Sequence, residues 1–284
     1  MSAPTTPSGG EAPLVTIRDL VKRYRQGRGG SRAHEVVAVD GVSLEIRAGE
    51  TFALVGESGS GKSTVAKMLL RLEPPTSGTI EFEGRDVWAL DRAGLKTLRR
   101  RLAIVFQNPV ASLNRRRTVE EIIAAPLEIH RMGDRLARRR RVHELLELVG
   151  LDTVHARRLP SALSGGQCQR VGIARALALE PRLVILDEAV SAVDVSIRAQ
   201  ILNLLRDLQE LTGVAYLFIS HDLAVVHSIA PRLAVMQHGR IVEAGTRTEV
   251  FGRPQHEYTR ALLAAVPEPD PANPFPLRRT KESA

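Results

Sequence analysis

Cysteine is nearly absent: a single residue, Cys168, in 284 leaves no internal disulfide to form and suits a reducing, cytoplasmic compartment. Aromatic side chains make up only 4% of the chain, so there is little equipment for stacking nucleic-acid bases. No run approaches the ~18 to 20 apolar residues that a membrane span requires. The stretch Met1 to Ala12 is small and polar, without the apolar core of a signal peptide. These shortages exclude a disulfide scaffold and a spanning helix. What remains, with 43% hydrophobic and 25% charged residues, is the composition of a globular protein with a sizeable core.

Charge is present in excess of one sign. Forty Lys and Arg stand against 32 Asp and Glu, giving +8. The arginines cluster at Arg115–Arg117, Arg138–Arg141 and Arg278–Arg279. The second cluster leads into Val142, Leu145, Leu146 and Val149, an i, i+3, i+4, i+7 stripe. The solvated face of an amphipathic helix is therefore favoured over a nucleic-acid site, and no nucleic-acid partner is expected.

Along the chain, 1–13 reads as a disordered leader. Strands are expected at Leu14–Ile17, Val36–Val39, Val42–Ile46, Gly78–Gly84 and Leu102–Phe106, with a Gly/Arg-rich loop at Arg25–His34. From Thr118 to about Gly150 the pattern turns helical, broken near Met132–Gly133. A helix at about Gly166–Leu179 ends before Pro181, and Leu183–Leu186, Val214–Ile219, Arg232–Met236 and Ile241–Val242 follow as strands alternating with helices near Ile197–Leu211 and Leu223–Ile229. Such alternation implies a parallel α/β sheet. The helical block at about 108–165 reads as an inserted subdomain. The tail, 266–284, has five prolines within ten residues from Pro267 and is expected to be unstructured.

The most informative stretch is Gly56-Glu57-Ser58-Gly59-Ser60-Gly61-Lys62-Ser63-Thr64, which satisfies the phosphate-loop pattern G-x-x-x-x-G-K-[ST]. An apolar run, Thr51–Val55, precedes it and helix-forming residues follow. Strand, glycine turn and helix would aim backbone N–H groups and a helix N-terminus at phosphates. Lys62 would reach the β- and γ-phosphates, and the Ser63 hydroxyl would ligate Mg²⁺. A flexible Gly/Ser loop is the competing reading, and the flanking strand and helix speak against it.

Leu183–Leu186 ends in two consecutive carboxylates. Asp187 can hold Mg²⁺ through water, while Glu188 can polarise a water attacking the γ-phosphate. Alone, an acidic pair after a strand is usually a solvated turn; downstream of a phosphate loop it gains meaning. Leu163-Ser164-Gly165-Gly166-Gln167 precedes a helix with Ser164 as its N-cap. On the pentapeptide alone, an anion clamp and a simply capped helix stand as equal alternatives. Cys168, next along, reads as buried filler.

Gly56–Thr64, Gln107, Leu163–Gln167, Leu183–Glu188, Ser191–Asp194 and His221 stand in the order and approximate spacing of an ATP-binding cassette (ABC) ATPase, and nearly all of 14–265 resembles that family. The resemblance implies a P-loop α/β core with an N-terminal antiparallel β subdomain and an inserted helical subdomain. It implies ATP and Mg²⁺ as ligands and a sandwich dimer, with a paralogue or a second copy, closing on two nucleotides. The phosphate loop, Asp187, Glu188, Gln107 and His221 would come from one subunit; Ser164, Gly165, Gly166 and Gln167 would come from the other. Gln107 resembles the Q-loop glutamine, a Mg²⁺ and water contact; His221 the switch histidine; Asp194 the D-loop aspartate that communicates across the dimer. Tyr24 stands where the family stacks an aromatic ring on adenine.

Within the family, Phe106–Asn114, Asp187–Ser196 and His256-Glu-Tyr-Thr-Arg-Ala-Leu-Leu263 resemble the oligopeptide, dipeptide and nickel importer ATPases. Arg115 departs from that subgroup's proline, and Ala189-Val190 from its commoner Pro-Thr. The expected setting is the cytoplasmic face of the inner membrane, beneath two permease subunits fed by an extracytoplasmic solute-binding protein. Gln107–Asn114 is the expected permease dock. An exporter ATPase is the alternative within transport. A DNA-repair ATPase would need long coiled-coil arms, and the 102 positions from Gly61 to Leu163 are too few for them; ribosome-acting members typically carry two cassettes.

Overall fold

The computed structural model describes residues 12–26, 34–191 and 194–265. Nearly all of the expected leader, most of the Gly/Arg-rich loop, Ala192–Val193 and the expected tail lie outside the described residues.

The chain begins with a long antiparallel pair, β1 (Val15–Gln26) and β2 (His34–Ile46). Arg25, Gln26 and His34 therefore belong to strands and not to the expected loop, because the ladder runs on through Arg25↔Glu35 and Gln26↔His34. Val36–Val39 and Val42–Ile46 are one strand. Gly41, at φ 69°, sits within β2 at the middle of three register shifts in the pairing, so the strand bends without ending. β3 (Thr51–Val55) leads through the glycine loop into α1 (Lys62–Leu69). β4 (Ser77–Phe82) and β5 (Arg85–Asp86) complete a four-stranded antiparallel sheet of order β2-β1-β4-β5.

Next come α2 (Arg92–Arg101), which the sequence did not announce, and β6 (Leu102–Val105). An all-helical stretch follows: α3 (Pro109–Ser112), α4 (Val119–Ile129), α5 (Arg135–Leu148) and 3-10 turns at Thr153–Arg157 and Pro160–Ala162. α6 (Gly165–Leu177), β7 (Leu183–Asp187), α7 (Val195–Thr212), β8 (Ala215–Ser220), α8 (Leu223–Ile229), β9 (Arg232–Gln237), β10 (Arg240–Thr246), α9 (Arg247–Gly252) and α10 (Glu257–Ala264) complete the described chain.

The second sheet has order β10-β9-β3-β8-β7-β6, parallel except for β10 against β9. Its central strands are buried on both faces, which explains their unbroken apolar runs. Ala53, Val55, Val184, Leu186, Tyr216 and Phe218 face a core shared with the helical stretch and α6–α8. Their neighbours Phe52, Leu54, Leu183, Ile185, Leu217 and Ile219 face the core shared with the antiparallel sheet and α1. The period-2 alternation of a strand thus divides one sheet between two cores. On α5, Val142, Leu145 and Leu146 are buried while Arg139 and Arg140 face solvent. Arg138 donates to the Met132 carbonyl and Arg141 pairs with Glu144 and Glu180, so part of this cluster braces the helix rather than floating free.

Candidate nucleotide-binding site

Parallel strands gather the chemistry at one end. The glycine loop follows Val55, His221 follows Ser220, Asp187 ends β7, and Gln107 follows β6 by two residues. The register pairs Val55 with Ser220, Asp187 with Ile219, and Val105 with Leu186, so all four positions emerge level at the carboxyl edge of adjacent strands. Ligands of open α/β sheets bind at that edge.

The loop's shape requires glycine at two points. Gly56 has φ 149°, and a Cβ there would lie 2.1 Å from the Met236 carbonyl oxygen. Gly61 has φ 108°, and a Cβ would lie 2.3 Å from the Ala38 carbonyl oxygen. Gly61 also occupies the N-cap of α1 without any side-chain capping bond. Among the described residues the Thr64 N–H donates to the Gly61 carbonyl at 3.0 Å, and the N–H groups of Lys62 and Ser63 are left open to an external acceptor, with the helix dipole behind them. Lys62 is buried and curls over its own loop, donating to the carbonyls of Gly56 (2.8 Å) and Glu57 (2.6 Å) and to Ser60 Oγ (3.1 Å). Burial lowers its pKa, against the opposing pull of Glu188, Asp187 and Glu57. Its three partners are oxygen acceptors, the kind a phosphate offers.

Ser63 Oγ donates to Asp187 Oδ1 at 2.9 Å. Two hard oxygen donors side by side, one a carboxylate whose pKa burial pushes up, fit a Mg²⁺ ion that completes its shell with phosphate and water. Glu188 lies beyond this pair. Gln107 Nε2 donates to Glu188 Oε2 at 2.6 Å, and His221 Nδ1 lies 3.3 Å from Glu188 Oε1. The Gln107 amide is thus engaged with Glu188, and no bond ties it to the Ser63–Asp187 pair among the described residues. Glu188 itself has φ 49°, a conformation uncommon outside glycine. Its N–H donates to the Ile219 carbonyl, and its carbonyl accepts from the Ser191 N–H and hydroxyl. Those bonds over-determine the backbone and aim the carboxylate.

The remaining expected residues lie apart from this cluster. Ser164 Oγ accepts from the Gln167 N–H at 3.2 Å, and Gln167 Oε1 accepts from the Ser164 N–H at 2.9 Å, a reciprocal capping box on α6. A Cβ on Gly165 would meet nothing within 4 Å, whereas one on Gly166 would lie 2.7 Å from Ile197 Cγ2. So Gly165 faces open space, and Gly166 is small because α7 presses on it. Among the described residues, no hydrogen bond or ion pair links Ser164–Gln167 to the phosphate loop, Asp187, Glu188 or His221. Asp194 is exposed at the N-terminus of α7, where its carbonyl accepts from the Arg198 N–H. Tyr24 is half-buried; the Lys22 ammonium sits 4.9 Å from its ring centroid and is itself fixed by Glu73 and the Pro74 carbonyl. Cys168 is fully buried with Sγ 3.6 Å from the Pro160 carbonyl oxygen, and burial pushes its thiol up.

Sequence reasoning missed three residues. Arg198 pairs with Asp222 at 2.7 Å, tying α7 to the residue beside His221. Ile197 packs on Gly166. Tyr258 accepts a bond from the Glu57 N–H across 201 positions of chain. No local pattern announces any of them, since each pairs segments far apart in sequence.

A parallel sheet with a phosphate loop, a carboxylate pair and a separate serine–glycine cap defines a P-loop nucleotide-binding protein. Residues 39–191 match the family described as ABC transporter, and residues 242–284 match that described as oligopeptide/dipeptide transporter, C-terminal region. The chain belongs to the ABC transporter family. It is 54% identical over 267 residues to the oligopeptide transport ATP-binding protein OppD of Mycobacterium tuberculosis, covering 93% of this chain but 44% of that protein. It is 52% identical over 268 residues to the glutathione import ATP-binding protein GsiA of Salmonella typhimurium, covering 94% and 43%. It is also 52% identical to the probable peptide ABC transporter ATP-binding protein y4tS of Sinorhizobium fredii, covering 91% and 74%. The chain therefore spans under half the length of the OppD and GsiA relatives. Among solved structures, the dimeric cassette MJ0796 bound to ADP and phosphate superposes with TM-score 0.73 at 31% identity, covering 82% of this chain and 99% of that one. The cassette cbiO1 of Clostridium perfringens superposes with TM-score 0.75 at 28% identity, covering 86% and 92%.

Proposed function

We propose that the protein binds ATP and hydrolyses it to energise import of short peptides through separate membrane permeases. The observation that carries this reading is the Glu188 carboxylate, held by Gln107 on one oxygen and His221 on the other, beside the Ser63–Asp187 pair and Lys62. Lys62 would exchange its loop carbonyls for β- and γ-phosphate oxygens. Ser63 and Asp187 would hold Mg²⁺, which neutralises phosphate charge when bound. Glu188 would orient and deprotonate the attacking water, with Gln107 fixing the carboxylate and His221 contacting the γ-phosphate. Tyr24 would offer adenine the ring face opposite Lys22.

The signature, Ser164 to Gln167, would act on the nucleotide of a second subunit. Its separation from the cluster and the open face at Gly165 support that role. Closure would then require the triphosphate, and hydrolysis would release it. Asp194 would carry the signal across the dimer. No helix among the described residues is long and apolar enough to cross a membrane; in this reading the translocation path would come from partner subunits at the inner-membrane face. Phe106, next to Gln107 in the chain, and Asn114 further along are both exposed and suit a permease dock; the match at residues 242–284 and the peptide-transport names of the relatives support the substrate class.

The test is ATP hydrolysis and nucleotide binding by the purified full chain and by Glu188→Gln. The variant should bind ATP as the parent does and turn over at least ~100-fold more slowly. Near-normal turnover would remove Glu188 from catalysis and this reading with it.

A further inference from the structure

The peptide group between Gly56 and Glu57 is gripped at both ends. Its carbonyl oxygen accepts from Lys62 Nζ at 2.8 Å, and its N–H donates to the Tyr258 hydroxyl at 3.1 Å. Tyr258 belongs to α10, in the segment shared with the oligopeptide/dipeptide C-terminal region, and is 9% exposed. Sheet register explains how α10 reaches the loop. Val55, the last residue of β3, pairs with Val235 of β9, and Val235 pairs with Glu243 of β10. Glu243 thus stands level with the start of the phosphate loop, two strands away. Its carboxylate accepts from the N–H groups of Gln255 (2.8 Å) and His256 (3.0 Å), pinning the start of α10 at that height. His256 Nδ1 then caps the helix by accepting from the Tyr258 N–H at 3.2 Å.

We propose that Tyr258 is a positioning residue for the phosphate loop, holding the Gly56–Glu57 peptide in the orientation that receives a nucleoside triphosphate. The proposal rests on reading this loop as the ATP phosphate site. The physical reason lies in the unequal fate of the two grips. Lys62 must give up the Gly56 carbonyl to reach phosphate oxygens, and that end of the peptide is then released. Tyr258 is independent of the phosphate and keeps the plane fixed throughout binding and hydrolysis. The C-terminal segment thereby acts on the nucleotide site through one hydroxyl, without touching the nucleotide.

The test uses the full chain with Tyr258→Phe, which keeps the ring and removes the hydroxyl, and with Glu57→Pro, which removes the N–H. In nucleotide-free protein, amide hydrogen exchange over residues 56–62 should quicken in Tyr258→Phe. KM for ATP should rise about three- to tenfold, the effect of one lost hydrogen bond, while kcat at saturating ATP stays within about twofold of the parent. In the Glu57→Pro background the Tyr258→Phe change should add less than about twofold, because its partner is already gone. Unchanged exchange, an unchanged KM, or an equal effect in both backgrounds would each overturn the proposal. A parent protein that binds no ATP would overturn the nucleotide reading instead, and the exchange measurement, made without nucleotide, separates the two failures.

Discussion

Burial at the end of β7 pushes the Asp187 carboxyl above its usual value of 3.8; the Ser63 hydroxyl works against that shift, Glu188 adds to it, and Lys62 and Lys67 oppose it. A carboxyl whose folded pKa exceeds its unfolded one costs stability once ionised. That cost is present above the folded pKa and disappears as pH falls below the unfolded value. Asp187→Asn should therefore raise the melting temperature of nucleotide-free protein at neutral pH by about 2 °C. The gain should fade below the ordinary aspartate range, and Mg²⁺-dependent ATP hydrolysis should be lost. A calorimetric melt showing no gain would mean that the Ser63 bond already compensates the buried charge. Lys62 has the opposite sign of shift for the same cause, loss of water around a charge. Lys62→Ala should weaken ATP binding itself, read by titration calorimetry, since the charge facing the β- and γ-phosphates is gone. The phosphate loop and the carboxylate pair were legible at this scale because their residue types and spacing are local. The φ of 49° at Glu188 was not, since it is enforced by Ile219 and Ser191 rather than by its own sequence.

Among elements, α6 and α7 meet through Gly166 and Ile197. An alanine at 166 would gain helix propensity, by up to ~1 kcal/mol, yet must displace a stiff β-branched side chain 2.7 Å from its Cβ. Overpacking typically costs about 1 to 3 kcal/mol, so the contact decides the sign. Gly166→Ala should lower the melting temperature by several degrees, and in an Ile197→Ala background the same change should be neutral or stabilising. If the single variant melts as the parent does, the helices are free to slide and the glycine serves the nucleotide alone. The neighbouring Arg198–Asp222 pair ties α7 to the cap of α8, whose first-turn N–H groups Asp222 accepts. Gly166, α7 and Asp222 beside His221 are thus linked by two contacts on successive residues of α7. Sequence periodicity found the long helices and the buried strands. It missed α2, where Leu98 is buried and only Leu95 packs partly buried beside it, because two apolar contacts leave too faint a stripe to read.

Across the whole molecule, the proposed site is in two parts whose polar groups no hydrogen bond or ion pair links among the described residues. The cluster at the sheet edge has two carboxylates, a lysine and a serine hydroxyl, while Ser164 and Gly165 stand exposed elsewhere. Ser164→Arg should leave ATP binding to the single subunit intact. In a Glu188→Gln background it should abolish the ATP-dependent dimer, read by size exclusion with light scattering. Equal loss of nucleotide binding in Ser164→Arg and Lys62→Ala would place the signature in the same pocket as the phosphate loop and end the two-subunit reading.

The amino-acid sequence by itself determined the phosphate loop, the Asp187–Glu188 pair, the α6 cap and the alternation that makes a parallel sheet. The first three are each written in a short local segment, where backbone geometry and side-chain type act directly, and the alternation is a succession of such segments. Only the tertiary structure decided that Gln107 and His221 share the Glu188 carboxylate, that Ile197 sets the size of Gly166, and that Tyr258 reaches the Glu57 N–H. Those pairings depend on strand order and register, as in the ladder from Val55 through Val235 to Glu243. Register is fixed by burying both faces of the sheet at once, a condition on the folded chain as a whole that no short segment carries.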